Sequence, residues 1–339
     1  MTPSAKTTLL GPAEERALTL LREGQRFLLS GHVRPDGDCL GSQIALAGVL
    51  RGLGKEVCVL LPDPPEDRYD FLRELCPVHV YQGGELPAHD VCALLDISEL
   101  SRCGALEAPL RAASSMKLVI DHHVPSDDVW WDEAWLDQTC AATGLLVLRI
   151  ARALGVEVTR ESAVGAFTAL VTDTGWFRYS NTDAECFEAA SELLARGVEP
   201  ARVYQAVYQR MNAAQPRAIG RVLDRLEYFA DRRLAVIDWP RERSGEAGFE
   251  ESDVVMDVLR AVQEVEVVLY LRELEDGGCK LSARSKTDYD VQALAKTFGG
   301  GGHKKAAGAS LPGPLKEARE RLVERALEGF GLASPSTSV

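Results

Sequence analysis

Lys117-Leu118-Val119-Ile120-Asp121-His122-His123 sets an apolar run directly before an acid and two adjacent imidazoles. A run this short, bounded by polar residues, reads as a strand buried on both faces, the usual state of a strand in a parallel sheet. The cadence recurs at 91–95, where the run ends on Asp96, and in Arg26-Phe27-Leu28-Leu29-Ser30-Gly31-His32, which runs into a loop. Helical spacing over 41–52 and a strand over 56–61 complete a first βαβ unit. In open α/β sheets ligands gather beyond the carboxyl ends of the strands, so the residues that close these runs are placed for chemistry.

Helical patterns also cover 13–28, 141–154, 161–171, 184–196 and 201–208, the third of which delivers Asp173. Residues 209–216 turn polar and include a proline, the composition of a connector. Beyond it lie strands at 234–237, 265–272 and 279–283, interleaved with helices near 252–262 and 291–298. The pattern predicts an α/β fold: an N-terminal parallel-sheet domain with helices on both faces over 12–195, a helical connector over 196–216 and a smaller mixed α/β domain over 217–332. No repeat of solenoid period is present, and the polar ends, 1–11 and 333–339, predict frayed tails.

The chain has 339 residues, 46% hydrophobic and 26% charged, enough for two domains of ordinary size. No stretch approaches the roughly 20 apolar residues of a membrane span, and residues 1–10 lack a targeting pattern, so a cytoplasmic protein is expected. A net charge of −13 excludes a broad basic surface for long duplexes, because such binding rests on many Lys/Arg–phosphate contacts. A small anionic substrate held locally is compatible with it, and divalent cations would neutralise part of the acidity. The eight cysteines form no CxxC pair or disulfide framework and read as reduced packing thiols.

Four segments set Asp or His directly after an apolar element. His32-Val33-Arg34-Pro35-Asp36-Gly37-Asp38-Cys39-Leu40-Gly41-Ser42 puts one imidazole and two carboxylates between a strand and a helix, with Gly37 suited to a tight turn and Ser42 near the helix start. Asp36 and Asp38 there either cap the helix or serve two neighbouring ions. Asp96 is a turn residue or a ligand, and Asp121, His122 and His123 are an imidazole ligand site with a supporting acid or exposed side chains. Asp173 closes a helix as cap or ligand, followed by Trp176 and Phe177, which favour the core over a base-stacking role. Together they match a two-metal site, with oxygen and imidazole ligands around ions roughly 3.5–4 Å apart and a bridging water acidified for attack on phosphorus. The mixture suits Mn²⁺, with Mg²⁺ or Co²⁺ as alternatives, and no cysteine near His122 and His123 points to structural zinc.

A fifth segment, Gly299-Gly300-Gly301-Gly302-His303-Lys304-Lys305-Ala306-Ala307-Gly308, frees backbone N–H groups for an anion, and its small residues suit the start of a helix; a flexible linker is the alternative. Upstream, Leu281-Ser282-Ala283-Arg284-Ser285-Lys286 puts a guanidinium at a strand end, either clamping a phosphate or facing solvent.

With these residues in their order, the sequence resembles the DHH phosphoesterase superfamily, named after the Asp121-His122-His123 triplet, over most of its length. The resemblance implies one metal on His32, Asp36 and Asp96 and another on Asp38, Asp96, His122 and Asp173, with Asp96 bridging. It implies His123 at the scissile phosphate or in proton transfer, and Asp121 supporting the histidines. Arg284, Ser282, Gly301, Gly302, His303 and Lys304 would hold the substrate in a cleft between the domains. The compact length resembles the nano-RNase branch, which cleaves short oligonucleotides and dephosphorylates 3′-phosphoadenosine 5′-phosphate by a metal-bridging hydroxide. Its expected partners are short RNA or DNA and small nucleotides, with a homodimer as the expected assembly. The alternatives are a RecJ-like single-strand DNA exonuclease and a non-catalytic sensor of nucleotides or cyclic dinucleotides.

Overall fold

A computed structural model describes residues 10–125, 128–241 and 252–332, so residues 1–9 and 333–339 of the two expected frayed tails lie outside the described residues. The chain divides between Arg210 and Met211 into two units.

The first unit begins with α1 (Pro12–Glu23), β1 (Arg26–Ser30), α2 (Gly37–Gly52) and β2 (Glu56–Leu61). It continues through α3 (Asp70–Arg73), β3 (Val78–Val80), β4 (Val91–Leu95), α4 (Glu107–Ala112), β5 (Met116–Asp121) and β6 (Glu133–Leu136). Four helices close it: α5 (Thr143–Leu154), α6 (Arg160–Asp173), α7 (Ala184–Ala195) and α8 (Pro200–Tyr208). Its six strands run parallel in the order β3-β2-β1-β4-β5-β6. Alternate residues of the strands feed different cores, as the pleat requires. Phe27, Leu29, Ala93, Leu95, Leu118 and Ile120 pack with α1, α2, α5 and α6. Leu28, Cys92 and Leu94 pack on the other face with Leu100, Leu106 and Leu110. The expected parallel sheet covered on both faces is therefore present.

Helices α2 and α6 approach until main chain meets main chain. A Cβ on Gly41 would lie 2.4 Å from the Gly165 carbonyl oxygen, and one on Gly165 would lie 2.7 Å from that of Gly41. Gly37 belongs to the same contact: it does not form the expected turn but opens α2, where a Cβ would meet the Thr172 side chain at 2.4 Å. The helix expected over 13–28 ends at Glu23, because Gly24 leaves helical geometry and Arg26 already pairs with Glu56.

The second unit comprises α9 (Gln215–Leu223), β7 (Glu227–Phe229), β8 (Leu234–Trp239), α10 (Ser252–Arg260), β9 (Val267–Glu273) and β10 (Cys279–Ser285). After these come α11 (Val291–Lys296), β11 (Gly301–His303), β12 (Ala306–Leu311) and α12 (Leu315–Gly329). Its six strands are ordered β11-β12-β10-β9-β8-β7, antiparallel except for β8 with β9. Residues 306–308 were expected to begin a helix and instead form β12, hydrogen-bonded to β10 on one side and β11 on the other. Pro216, expected in the connector, occupies the first turn of α9, where its missing N–H leaves no helical bond unmade. Gly220 on α9 is exposed and a Cβ there would meet nothing within 4 Å. Gly220→Ala should therefore stabilise the second unit by about 0.5–1 kcal/mol, measured as a higher denaturant midpoint, and a lower midpoint would contradict this picture of α9.

Candidate active site

The site forms where the carboxyl ends of β1, β4 and β5 meet the first turns of α2 and α5 and the last turn of α6. His122 is its centre. Nε2 lies 3.2 Å from Asp173 Oδ2, 3.5 Å from Asp96 Oδ1 and 3.6 Å from Asp38 Oδ2. Nδ1 sits 3.1 Å from the Cys140 carbonyl oxygen, which places a ring proton there and turns Nε2 toward the three acids. Nε2 is buried and has no hydrogen-bond partner among the described residues.

His32 repeats the arrangement: Nδ1 is 2.9 Å from the Val33 carbonyl oxygen, and Nε2 is 3.4 Å from Asp96 Oδ2 and 3.8 Å from Asp36 Oδ1. Asp96 thus turns one oxygen to each imidazole. It follows β4 with φ of +62°, a left-handed conformation that Asp tolerates better than most residues, and its Oδ1 accepts the Thr143 hydroxyl at 3.1 Å.

Both first-turn acids of α2 also make capping contacts. Asp36 Oδ1 accepts the N–H groups of Asp38 and Cys39 at 3.1 and 3.0 Å. Fully buried Asp38 accepts the Thr143 N–H at 2.7 Å and the Gly144 N–H at 2.9 Å, and so caps α5 rather than its own helix. Capping does not exhaust a carboxylate, because each oxygen carries two lone pairs. Asp121 stands apart from the acid cluster. Its Oδ1 accepts the N–H groups of His122 and His123 at 2.8 and 3.2 Å and pairs with His123 Nδ1 at 2.8 Å. His123 packs edge-on against His122, with ring centroids 4.5 Å apart.

Asp173 is held by a strained turn. Gly175, Trp176 and Phe177 all have positive φ, an outlying conformation for two aromatics in succession, and Asn181 Nδ2 donates to the carbonyl oxygens of Asp173 and Ala141. Trp176 packs edge-on to Phe167, Tyr204 and Tyr208, and both aromatics lie against the first core.

Charge is unbalanced in this cluster. Burial, then the Asp96 charge, pushes Asp173 up to about 7, and burial with the charges of Asp96 and Asp173 raises Asp38 well above the usual carboxylate range. Burial works against protonated His122, yet the close Asp96 carboxylate and the charges of Asp38 and Asp173 carry it up to about 10; His32 is likewise raised. The acids pull protons into a buried space, which is the demand a cation would meet. Three ligand groups have donor atoms within 4.8 Å of one another: His32, Cys39 and Asp96; Asp96, His122 and His123; and Asp38, His122 and Asp173. Imidazole nitrogen with carboxylate oxygen is a donor set for divalent transition ions, so the residues fit metal.

In the second unit, register pairs Ser282 and Gly301 with Gly308 from either side, and Arg284 and His303 with Ala306. Directly paired residues share a face, so Ser282, Arg284, Gly301 and His303 line one side of β10-β12-β11. Gly302 pairs with Ala307 on the opposite side, and its carbonyl accepts from Gln292 Nε2. Lys304 Nζ lies 3.6 Å from Asp288. Thr143, Asn181 and Cys39 were not singled out from the sequence. Thr143 and Asn181 had no sequence signal, because their partners are distant along the chain.

Comparison with known proteins agrees with the folds of the two units. The profile of the DHH family, N-terminal domain, matches residues 26–172, and that of the DHHA1 domain matches residues 244–330. The bifunctional oligoribonuclease and PAP phosphatase NrnA of Thermus thermophilus is 34% identical over 309 residues, 90% of each chain. The chain belongs to the DHH phosphoesterase family, in its NrnA-like branch. As a DHH phosphoesterase it is a hydrolase of phosphoester bonds. NrnA of Bacillus subtilis is 24% identical over 293 residues, covering 84% of this DHH chain and 89% of its own. The crystal structure of an exopolyphosphatase-related protein from Bacteroides fragilis superposes with a TM-score of 0.85 at 26% identity, over 95% of this chain and 98% of that one. Among the described residues, no helix is long and apolar enough to cross a membrane.

Proposed function

We propose that this phosphoesterase cleaves short oligoribonucleotides to mononucleotides and dephosphorylates 3′-phosphoadenosine 5′-phosphate, using two divalent ions, Mn²⁺ by the donor set. The observation that carries the reading is His122 Nε2, buried, unpartnered and facing carboxylates from three separate elements. The substrate class is supported by the 34% identity to a Thermus enzyme named for both activities.

His32, Asp36 and Asp96 would hold one ion, and Asp38, Asp96, His122 and Asp173 the other. Such ions, when bound, neutralise charge on phosphoryl oxygens and acidify water. His123, fixed at Nδ1 by Asp121, has Nε2 available to donate to a phosphoryl oxygen or to carry a proton. Arg284, Ser282, Gly301 and His303, on one sheet face, with Gly302 and Lys304 beside them, would bind the terminal phosphate, the guanidinium in bidentate fashion.

The test is incubation with Mn²⁺ and a ladder of di- to pentaribonucleotides, with 3′-phosphoadenosine 5′-phosphate and long single-stranded DNA in parallel. Mononucleotides should accumulate from the ladder and phosphate from the nucleotide. Chelation should stop both reactions and Mn²⁺ should restore them. Preferential loss of the long DNA would favour a RecJ-like exonuclease, and an inert ladder with metal present would overturn the proposal.

A further inference from the structure

We propose that Cys39 is a sulfur donor to the ion position formed by His32 and Asp96, so that this position takes a thiophilic divalent ion such as Co²⁺ or Zn²⁺ in preference to Mg²⁺. The inference rests on reading the cluster as a metal centre and adds a ligand to it. In sequence Cys39 looked like one more packing thiol in the first turn of α2.

Three observations set it apart from the other seven cysteines. Its Sγ, a nitrogen of His32 and an oxygen of Asp96 lie within 4.8 Å of one another, and among the described residues no other cysteine enters such a group. That spacing accommodates one ion at ordinary bond lengths, about 2.3 Å to sulfur and about 2.0–2.2 Å to nitrogen and oxygen. Second, the backbone makes room for the sulfur. A Cβ on Gly31 would lie 2.3 Å from Cys39 Sγ, so the residue joining β1 to His32 admits no side chain while the thiol stands there. Third, Gln43 is fully buried and its Nε2 donates to Cys39 Sγ at 3.3 Å and to the Cys39 carbonyl oxygen at 2.9 Å. An N–H directed at sulfur stabilises a thiolate, the outer-shell contact that tunes a metal-bound ligand. His32 brings the nitrogen side, buried, with Nδ1 on the Val33 carbonyl and Nε2 toward Asp96.

On ligation the thiol proton leaves to solvent and the sulfur binds as thiolate. The two ion positions then differ in kind: Asp38, His122 and Asp173 offer only oxygen and nitrogen, whereas the position at His32 adds one soft donor.

Cobalt reads both points in the whole protein. Metal-free protein titrated with Co²⁺ should develop visible d–d bands that report occupancy, together with a near-ultraviolet sulfur-to-cobalt charge-transfer band. Cys39→Ala should keep the d–d bands of the other position, lose the charge-transfer band, and bind the first-position ion at least about 10-fold more weakly. Wild-type d–d bands without the charge-transfer band would overturn the assignment of Cys39 and leave the metal centre standing. No uptake of cobalt at all would overturn both. The wild-type spectrum decides the matter alone if Cys39→Ala does not fold.

Discussion

Asp96→Asn should lower turnover of a dinucleotide by more than about 100-fold, beyond the 10–100-fold usual for groups one shell away from a metal. Among the described residues, Asp96 is the one carboxylate with an oxygen toward both His32, at 3.4 Å, and His122, at 3.5 Å. The amide keeps the size and tolerates the left-handed conformation at φ of +62°, so the fold should persist. What changes is the charge: two buried imidazoles lose their shared anion, and the two proposed ion positions would lose a common ligand. Calorimetry with Mn²⁺ should show weakened binding at both positions, while circular dichroism stays that of the wild type. Ordinary Mn²⁺-stimulated turnover in this variant would remove Asp96 from the site.

Gly41→Val should destabilise the first unit by about 3 kcal/mol, the upper end for overpacking. The added atoms would meet the Gly165 carbonyl oxygen, whose 2.4 Å separation from the first of them cannot be relieved by a rotamer change. The helices must part, and they carry Asp38 and Asp173 at their ends. Mn²⁺ affinity should therefore fall along with the denaturant midpoint. Loss of stability with undiminished affinity would show that the α2–α6 contact does not set the spacing of these acids.

The central strands and the acid-bearing segments were legible because one physical fact marks both. A strand buried on two faces must be apolar throughout, so β1, β4 and β5 announce themselves, and a charged residue directly after such a run needs a reason. Legibility failed where structure depends on partners. Ala306–Leu311 has the small residues of a helix start, and only the strands on either side make it β12. The edge strand β6 has one buried residue, Trp135, and so no pattern to read. Asp38 looked like a cap for α2 and caps α5 instead, a pairing across 105 residues that local spacing does not encode.

That last pairing bears on how the chain comes into being. The proposed ligands arrive on elements scattered from residue 32 to residue 173, and Asp38 is seated only once α5 has docked against it. Domains emerge from the ribosome N-terminus first, and contacts between distant residues form late. A nascent or partly unfolded chain thus holds no hydrolytic centre, and the capacity to cut phosphoesters appears only when the domain is complete.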